Sequence, residues 1–183
     1  MKRCRTCKSK FEPFNSLHVV CGPVCALKYA QKEKIKAAES RARDQRKWVK
    51  EQKERLKSNA QRLNDLQVLV NRYVRQRDSG KPCISCGKPD DGSHQRHASH
   101  YRSVGACSSL RFNTLNIHAS CAQCNSHRSG NILEYRIGLA NRHGAELLEM
   151  LETAPVSKRY EKEWIERAKS VFRRRLKQYL KAA

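Results

Sequence analysis

The chain has 183 residues, is 38% hydrophobic and 31% charged, and carries a net charge of +22 at pH 7. That length supports one modest core with small appendages, and that charge points to a polyanionic partner. No apolar run approaches the roughly 20 residues of a membrane-spanning helix, and MKRCRTCKSKF lacks the apolar stretch of a signal peptide. The expectation is a soluble protein from a reducing compartment, where thiols stay free to bind metal.

Eight of the nine cysteines fall into four short pairs: Cys4/Cys7, Cys21/Cys25, Cys83/Cys86 and Cys121/Cys124. Pairs this close can chelate one ion, so two structural zinc sites are expected, each closed by four thiolates. Cys107 stands alone and reads as a small loop or core residue, because nothing pairs with it as a nucleophile would require.

The first unit, residues 1–27, is a Cys-x-x-Cys turn, a short segment and a Cys-x-x-x-Cys turn. Phe11, Phe14, Val19 and Val20 make only a tiny core, so metal must supply the folding energy. It serves either as a structural knuckle or as a DNA-contacting one. His18 is incidental, since four thiolates already suffice.

Residues 28–79 form a long basic helical segment. Neither proline nor glycine occurs between Ala26 and Arg77, and between Gln31 and Lys57 there are 11 Lys/Arg against 5 Asp/Glu. Ile35, Ala42, Val49, Leu56, Leu63 and Val70 recur every seven residues, but their partner positions are half polar. A solvated helix with one apolar edge and a self-associating seam, hence a homodimer, both fit that pattern. Unbroken, the helix would run about 75 Å. A break is expected near Ser58-Asn59, after which Leu63, Leu66, Leu69, Val70 and Tyr73 should pack on the next domain. Gly80 and Pro82 end the helix.

Residues 80–144 form the zinc-framed domain. Cys83-Ile84-Ser85-Cys86-Gly87 is a knuckle. His97 to Tyr101 reads as a short strand on which His97 and His100 point to opposite faces. Leu115 to His118 is a second strand. Cys121-x-x-Cys124 closes the site, and a helix is expected from Asn125 onward.

Residues 145–183 carry two helices. The first stops before Pro155. The second has an apolar stripe of Tyr160, Trp164, Ile165, Ala168, Val171, Phe172, Leu176 and Tyr179. Its other face carries Lys169, Arg173, Arg174, Arg175, Lys177 and Lys181, which together favour phosphate contact. The fold class expected is α+β and mainly helical.

The motif SHY followed by NIHASCAQCNSHRSGN resembles the HNH pattern of ββα-metal nucleases. The wider chain, from CRTCKSKFEP through LRFN…NIH…C-x-x-CN-x-H…SGN, resembles the phage NinG (Rap) recombination proteins. That resemblance implies a zinc-stabilised ββα-metal core and an endonuclease cutting branched DNA, Holliday junctions and D-loops, in the cytoplasm of a bacterial host. It implies His100, Asn116 and Asn125 as the catalytic set. His100 is suited to general base, since imidazole titrates near working pH. Asn116 would tie the loop that aims His100. Asn125 would hold one Mg²⁺ or Mn²⁺ through its amide oxygen. Zinc has no catalytic part, because a four-cysteine site has no open position. Many such enzymes carry an aspartate just before the first histidine, where this chain has Ser99. His97 is either the replacement metal ligand or a hydrogen-bonded support. His127 and Arg128 are candidate phosphate contacts, His118 is either support or site, and His94 and His143 have no assigned role.

Overall fold

The computed structural model describes residues 1–92 and 95–182, with side chains through Tyr179. His94 and the Lys181 side chain lie outside the described residues. The chain is a mainly helical α+β protein with two small antiparallel sheets. It divides into two units, Met1–Lys57 and Ser58–Ala183.

In the first unit, β1 (Lys2–Arg3) pairs with β2 (Lys10–Phe11), and α1 runs from Pro23 to Leu56. Phe11 packs edge-on against His18, whose Nδ1 accepts from the Phe14 amide at 3.0 Å. The His18 ring is thus engaged away from the cysteines. Phe14 itself is 91% exposed, so even the small expected core is incomplete. α1 buries none of its 34 residues. Its alternation of lysine, arginine, glutamate and alanine makes a helix by propensity and solvation, not by an apolar face.

The second unit opens with a capping box that marks the break expected near Ser58. Ser58 Oγ accepts from the Gln61 amide at 3.2 Å, and Gln61 Oε1 accepts from the Ser58 amide at 2.8 Å. Such a cap is worth about 1 kcal/mol and starts α2 (Asn59–Arg77) afresh. Leu66, Val70 and Val74 of α2 are fully buried against Phe112, Ile117, Tyr160, Ile165 and Phe172. The last three of those lie in or just before α5 (Lys162–Ala182). Each such side chain contributes about 1.5–3 kcal/mol by burial.

Lys169 departs from the expected basic face. It is 2% exposed and bonds Glu166 at 3.0 Å, with Asp65 of α2 at 3.6 Å. One turn after Ile165 and three residues before Phe172, it falls on the buried stripe, where acids draw it inward. Arg173, Arg174, Arg175 and Lys177 remain exposed.

β3 (His97–His100) and β4 (Ile117–Ser120) pair antiparallel, His97 with Ser120 and His100 with Ile117. After β4 comes a wide five-residue turn, Gln123–His127, in which the Arg128 amide reaches the Gln123 carbonyl at 3.1 Å. The helix expected from Asn125 does not continue. Ser129, Gly130 and Asn131 all adopt left-handed backbone, with φ of 48°, 89° and 48°. That kink resets the axis, and α3 starts only at Ile132 and ends at His143. α4 (Ala145–Glu152) packs beside it.

A second cluster joins Ile84, Tyr101, Cys107, Leu110, Tyr135, Leu139, Leu148 and Leu151. Gly138 explains how α3 seats on it. A Cβ there would sit 1.8 Å from the Ile84 carbonyl oxygen, so the helix approaches the Cys83 knuckle backbone directly. No described helix is long and apolar enough to cross a membrane.

Candidate active site and metal centres

All nine cysteines are free thiols, and eight gather into two quartets: Cys4, Cys7, Cys21, Cys25 and Cys83, Cys86, Cys121, Cys124. In each quartet the sulfurs lie within 4.8 Å of one another. Close pairs include Cys7–Cys21 at 3.4 Å, Cys21–Cys25 at 3.6 Å and Cys86–Cys121 at 3.8 Å. A tetrahedron of sulfurs about 2.3 Å from zinc has edges of about 3.8 Å, so both donor sets fit that ion. Backbone amides already face the sulfurs: Cys21 N to Cys4 Sγ at 3.4 Å and Cys121 N to Cys83 Sγ at 3.3 Å. Burial works against a Cys83 thiolate, but the Cys86, Cys121 and Ser85 amides outweigh it and hold its pKa down to about 7. Cys107 is fully buried, donates to the Pro155 carbonyl at 3.3 Å and belongs to the core.

The second quartet binds the turn before β3 to the turn after β4. Asn125, next to Cys124, is thereby carried to β3. Its Nδ2 lies 3.1 Å from His97 Nδ1. An amide NH2 only donates, so Nδ1 is the acceptor and the ring proton sits on Nε2. In this arrangement neither His97 nitrogen offers a free lone pair, and the contact makes His97 a support for Asn125. The Asn125 Oδ1 has no hydrogen-bond partner among the described residues.

His100 is placed differently. Strand alternation puts His97 and Ser99 on one face of β3, with Ala98 and His100 on the other. His100 Nε2 lies 3.0 Å from the Arg111 carbonyl. A carbonyl only accepts, so Nε2 carries the proton and Nδ1 keeps its lone pair. Burial lowers the His100 pKa below the usual 6.5, with the Arg111 carbonyl bond opposing that shift. The neutral ring is the form present at neutral pH. The structure thus brings Asn125 to His97, not to His100.

Asn116 is fully buried. Its Oδ1 accepts from the Arg102 amide at 2.9 Å, and its Nδ2 donates to the Arg102 and Leu110 carbonyls at 3.0 and 3.3 Å. Every bond goes to backbone, and together they close the loop that presents the Arg111 carbonyl. Arg111 is also held from α2, by Asn64 Oδ1 at 2.9 Å and Gln67 Oε1 at 3.2 Å. Arg111 is the arginine of the LRFN segment, but nothing in the sequence assigned it a role of its own.

Behind the sheet lies a directional chain. Tyr135 Oη donates to the Ser99 carbonyl at 2.9 Å, so it must accept from His118 Nδ1 at 3.3 Å. His118 Nε2 then accepts from His143 Nε2 at 2.9 Å. Burial, followed by the Arg77 charge, pushes His118 down to about 3, so it stays neutral. His118 is thereby committed to support. Beside it, Asp78 accepts from Arg77 at 2.6 and 2.9 Å and from the Ala119 amide at 3.0 Å. Burial opposes its ionisation, but Arg77 prevails and holds it at about 2. Arg77 also reaches the Thr114 and Ile117 carbonyls at 2.7 and 2.8 Å, which fastens the end of α2 to β4.

His127 and Arg128 are exposed in and after the wide turn, two and three residues beyond Asn125. On α5, Arg175 stacks 5.6 Å from the Tyr73 and Phe172 ring centroids.

A family model described as bacteriophage lambda NinG protein matches residues 1–182. Protein ninG of Escherichia phage lambda is 34% identical over 189 residues, covering 96% of this chain and 92% of that protein. Protein ninG of Escherichia phage 933W is 35% identical over 187 residues with the same coverage. Protein ninG of Salmonella phage P22 is 33% identical over 189 residues, again with that coverage. No solved structure gives a significant match.

Proposed function

The chain belongs to the bacteriophage lambda NinG family, and on that premise we propose that it is a metal-dependent endonuclease with an HNH-like ββα-metal core. Its substrate is branched DNA, Holliday junctions and D-loops. That choice follows from the family resemblance, because phosphate charge alone does not separate branched from linear duplex.

The observation that carries the proposal is the bond between His100 Nε2 and the Arg111 carbonyl. It fixes one tautomer and leaves the Nδ1 lone pair unused, while burial keeps the ring neutral at neutral pH. That is the state a general base needs. His100 takes a proton from water on Nδ1 as the water oxygen attacks phosphorus. The bond from phosphorus to the leaving sugar oxygen breaks in line. Asn116 keeps the loop behind His100 closed and is a positioning residue.

Asn125 Oδ1 is the candidate cation ligand, and His97 holds the amide so that the oxygen faces away from the ring. A single neutral amide oxygen suits an ion that keeps most of its waters, as Mg²⁺ does. Asn125 would hold Mg²⁺ or Mn²⁺ there, and such an ion would supply positive charge to the phosphate. His100 and Asn125 approach from opposite faces of a two-stranded ribbon. One edge of β3 is unpaired among the described residues, so a phosphate lying along that edge is reached from both sides. His127, Arg128 and the α5 set Arg173, Arg174, Arg175 and Lys177 supply phosphate contacts.

The test is His100→Ala. Cleavage in Mg²⁺ should be lost while DNA affinity is kept. Cutting at the native rate leaves only a DNA-binding protein with no use for the imidazole.

A further inference from the structure

The first unit has a feature that the proposed chemistry does not use. The knuckle and the start of α1 enclose a groove of about 530 Å³. Arg5 and Lys8 line one wall, and Lys28, Lys32 and Lys36 the other, with Tyr29 on its floor. Glu33 is the one acid at its rim. Among the described residues no carboxylate pairs with Lys8, Lys28, Lys32 or Lys36.

The groove is built, not incidental. Thr6 Oγ1 donates to the Cys25 carbonyl at 3.0 Å, and the Arg5 amide to the Val19 carbonyl at 2.9 Å. Arg5 Nη1 donates to Tyr29 Oη at 2.8 Å, with its guanidinium 5.9 Å from that ring's centroid. The Cys4–Cys7–Cys21–Cys25 quartet closes the same turn. The three lysines follow one another every four residues, so they form one row with steps of about 6 Å. Such a row matches a chain of phosphates, and five cations to one acid select for a polyanion.

We propose that this groove is a second DNA-holding surface, which takes the phosphate backbone of a duplex. The groove is lined by five cations but by a single aromatic ring, the half-buried Tyr29, whose hydroxyl accepts from Arg5. That argues for backbone contact independent of sequence, and against single-strand capture, which relies on exposed rings. The inference deepens the endonuclease reading by giving the substrate a further hold. Its test measures binding and not cleavage, so the two can fail separately.

The experiment uses the full chain, a labelled linear duplex and no added divalent ion. Affinity is measured across a salt series for the native protein, for Lys28/Lys32/Lys36→Gln, and for Lys34/Arg41/Arg43→Gln. The two triple variants lose equal charge on the same exposed helix, and only the first touches the groove. Each lost phosphate contact lowers the slope of log affinity against log salt by about 0.9, so the groove variant should lose about 2.7. The other variant should keep the native slope. A native slope in the groove variant, or equal losses in both, overturns the proposal. Circular dichroism confirms that both variants retain their helices.

Discussion

Replacing Tyr135 by phenylalanine removes one oxygen from a place that water does not reach. Tyr135, His118 and Ser99 are 0%, 1% and 2% exposed. The native hydroxyl serves two groups: it accepts from His118 Nδ1 and donates to the Ser99 carbonyl. Without it, the His118 Nδ1–H has no acceptor. The exposed His143 can reverse its role and accept instead of donate. His118 then becomes protonated at Nε2, but Nδ1 is left as a bare acceptor. One buried polar atom stays unpaired in either tautomer, at a cost of about 1–3 kcal/mol. For a cooperative unit of this size, each kcal/mol moves Tm by roughly 4 °C, so a fall of about 4–12 °C is expected. Calorimetry of the zinc-loaded protein reads it directly. Adding His118→Leu to the Tyr135→Phe protein removes the orphan and should recover part of the loss, because two matched apolar groups cost less than one unpaired polar one. A fall smaller than about 2 °C, or a double variant as unstable as the sum of the singles, would refute the hydrogen-bonded chain.

Acid should loosen the join between α2 and β4. The folded-state pKa of Asp78 is depressed from 3.8 to about 2, so its contribution is fully present above 3.8 and is lost as pH falls through about 2. That contribution is about 2 kcal/mol. The gap in urea stability between the native protein and Asp78→Asn should therefore narrow steadily from about pH 5 to about pH 2; a constant gap contradicts the ion pair. Cys83→Ser should abolish cooperative melting of the second unit, since the quartet ties the turns on both sides of the sheet; an unchanged melt argues against structural zinc there. The acid limb of cleavage should lie below 6.5, because burial lowers the His100 pKa and the base works deprotonated. A limb above 6.5 assigns the base elsewhere.

What could be read from the chain, and what could not, divides along the range of the forces. The cysteine quartets were legible, because chelation makes their spacing a local matter. So was the break at Ser58, where a serine three residues before a glutamine is a short-range capping signal. The α5 stripe was legible through its period, yet Lys169 was assigned to the wrong face. Nothing local distinguishes it from Arg173; its burial depends on Asp65, which lies a hundred residues away on α2. The start of α3 was misplaced because Asn125 to His127 does turn helically. The left-handed run at Ser129 to Asn131 then redirects the chain, held by the Gly130 amide on the Cys124 carbonyl at 2.9 Å. The opposite facing of His97 and His100 followed from alternation alone. Which of them Asn125 would meet did not, since that depends on how the turn carrying Cys121 and Cys124 lies over the ribbon.

The central claim is that an imidazole on one face of β3 and a carboxamide on the other serve a single phosphate. The most direct measurement is nicking of a labelled four-way junction in Mg²⁺, with linear duplex beside it, for the native protein, His100→Ala and Asn125→Ala. The native protein should cut the junction in preference to the duplex, and both variants should bind the junction without cutting it. Native-rate cutting by either variant, or no cutting by the native protein with zinc bound and Mg²⁺ or Mn²⁺ supplied, would contradict it.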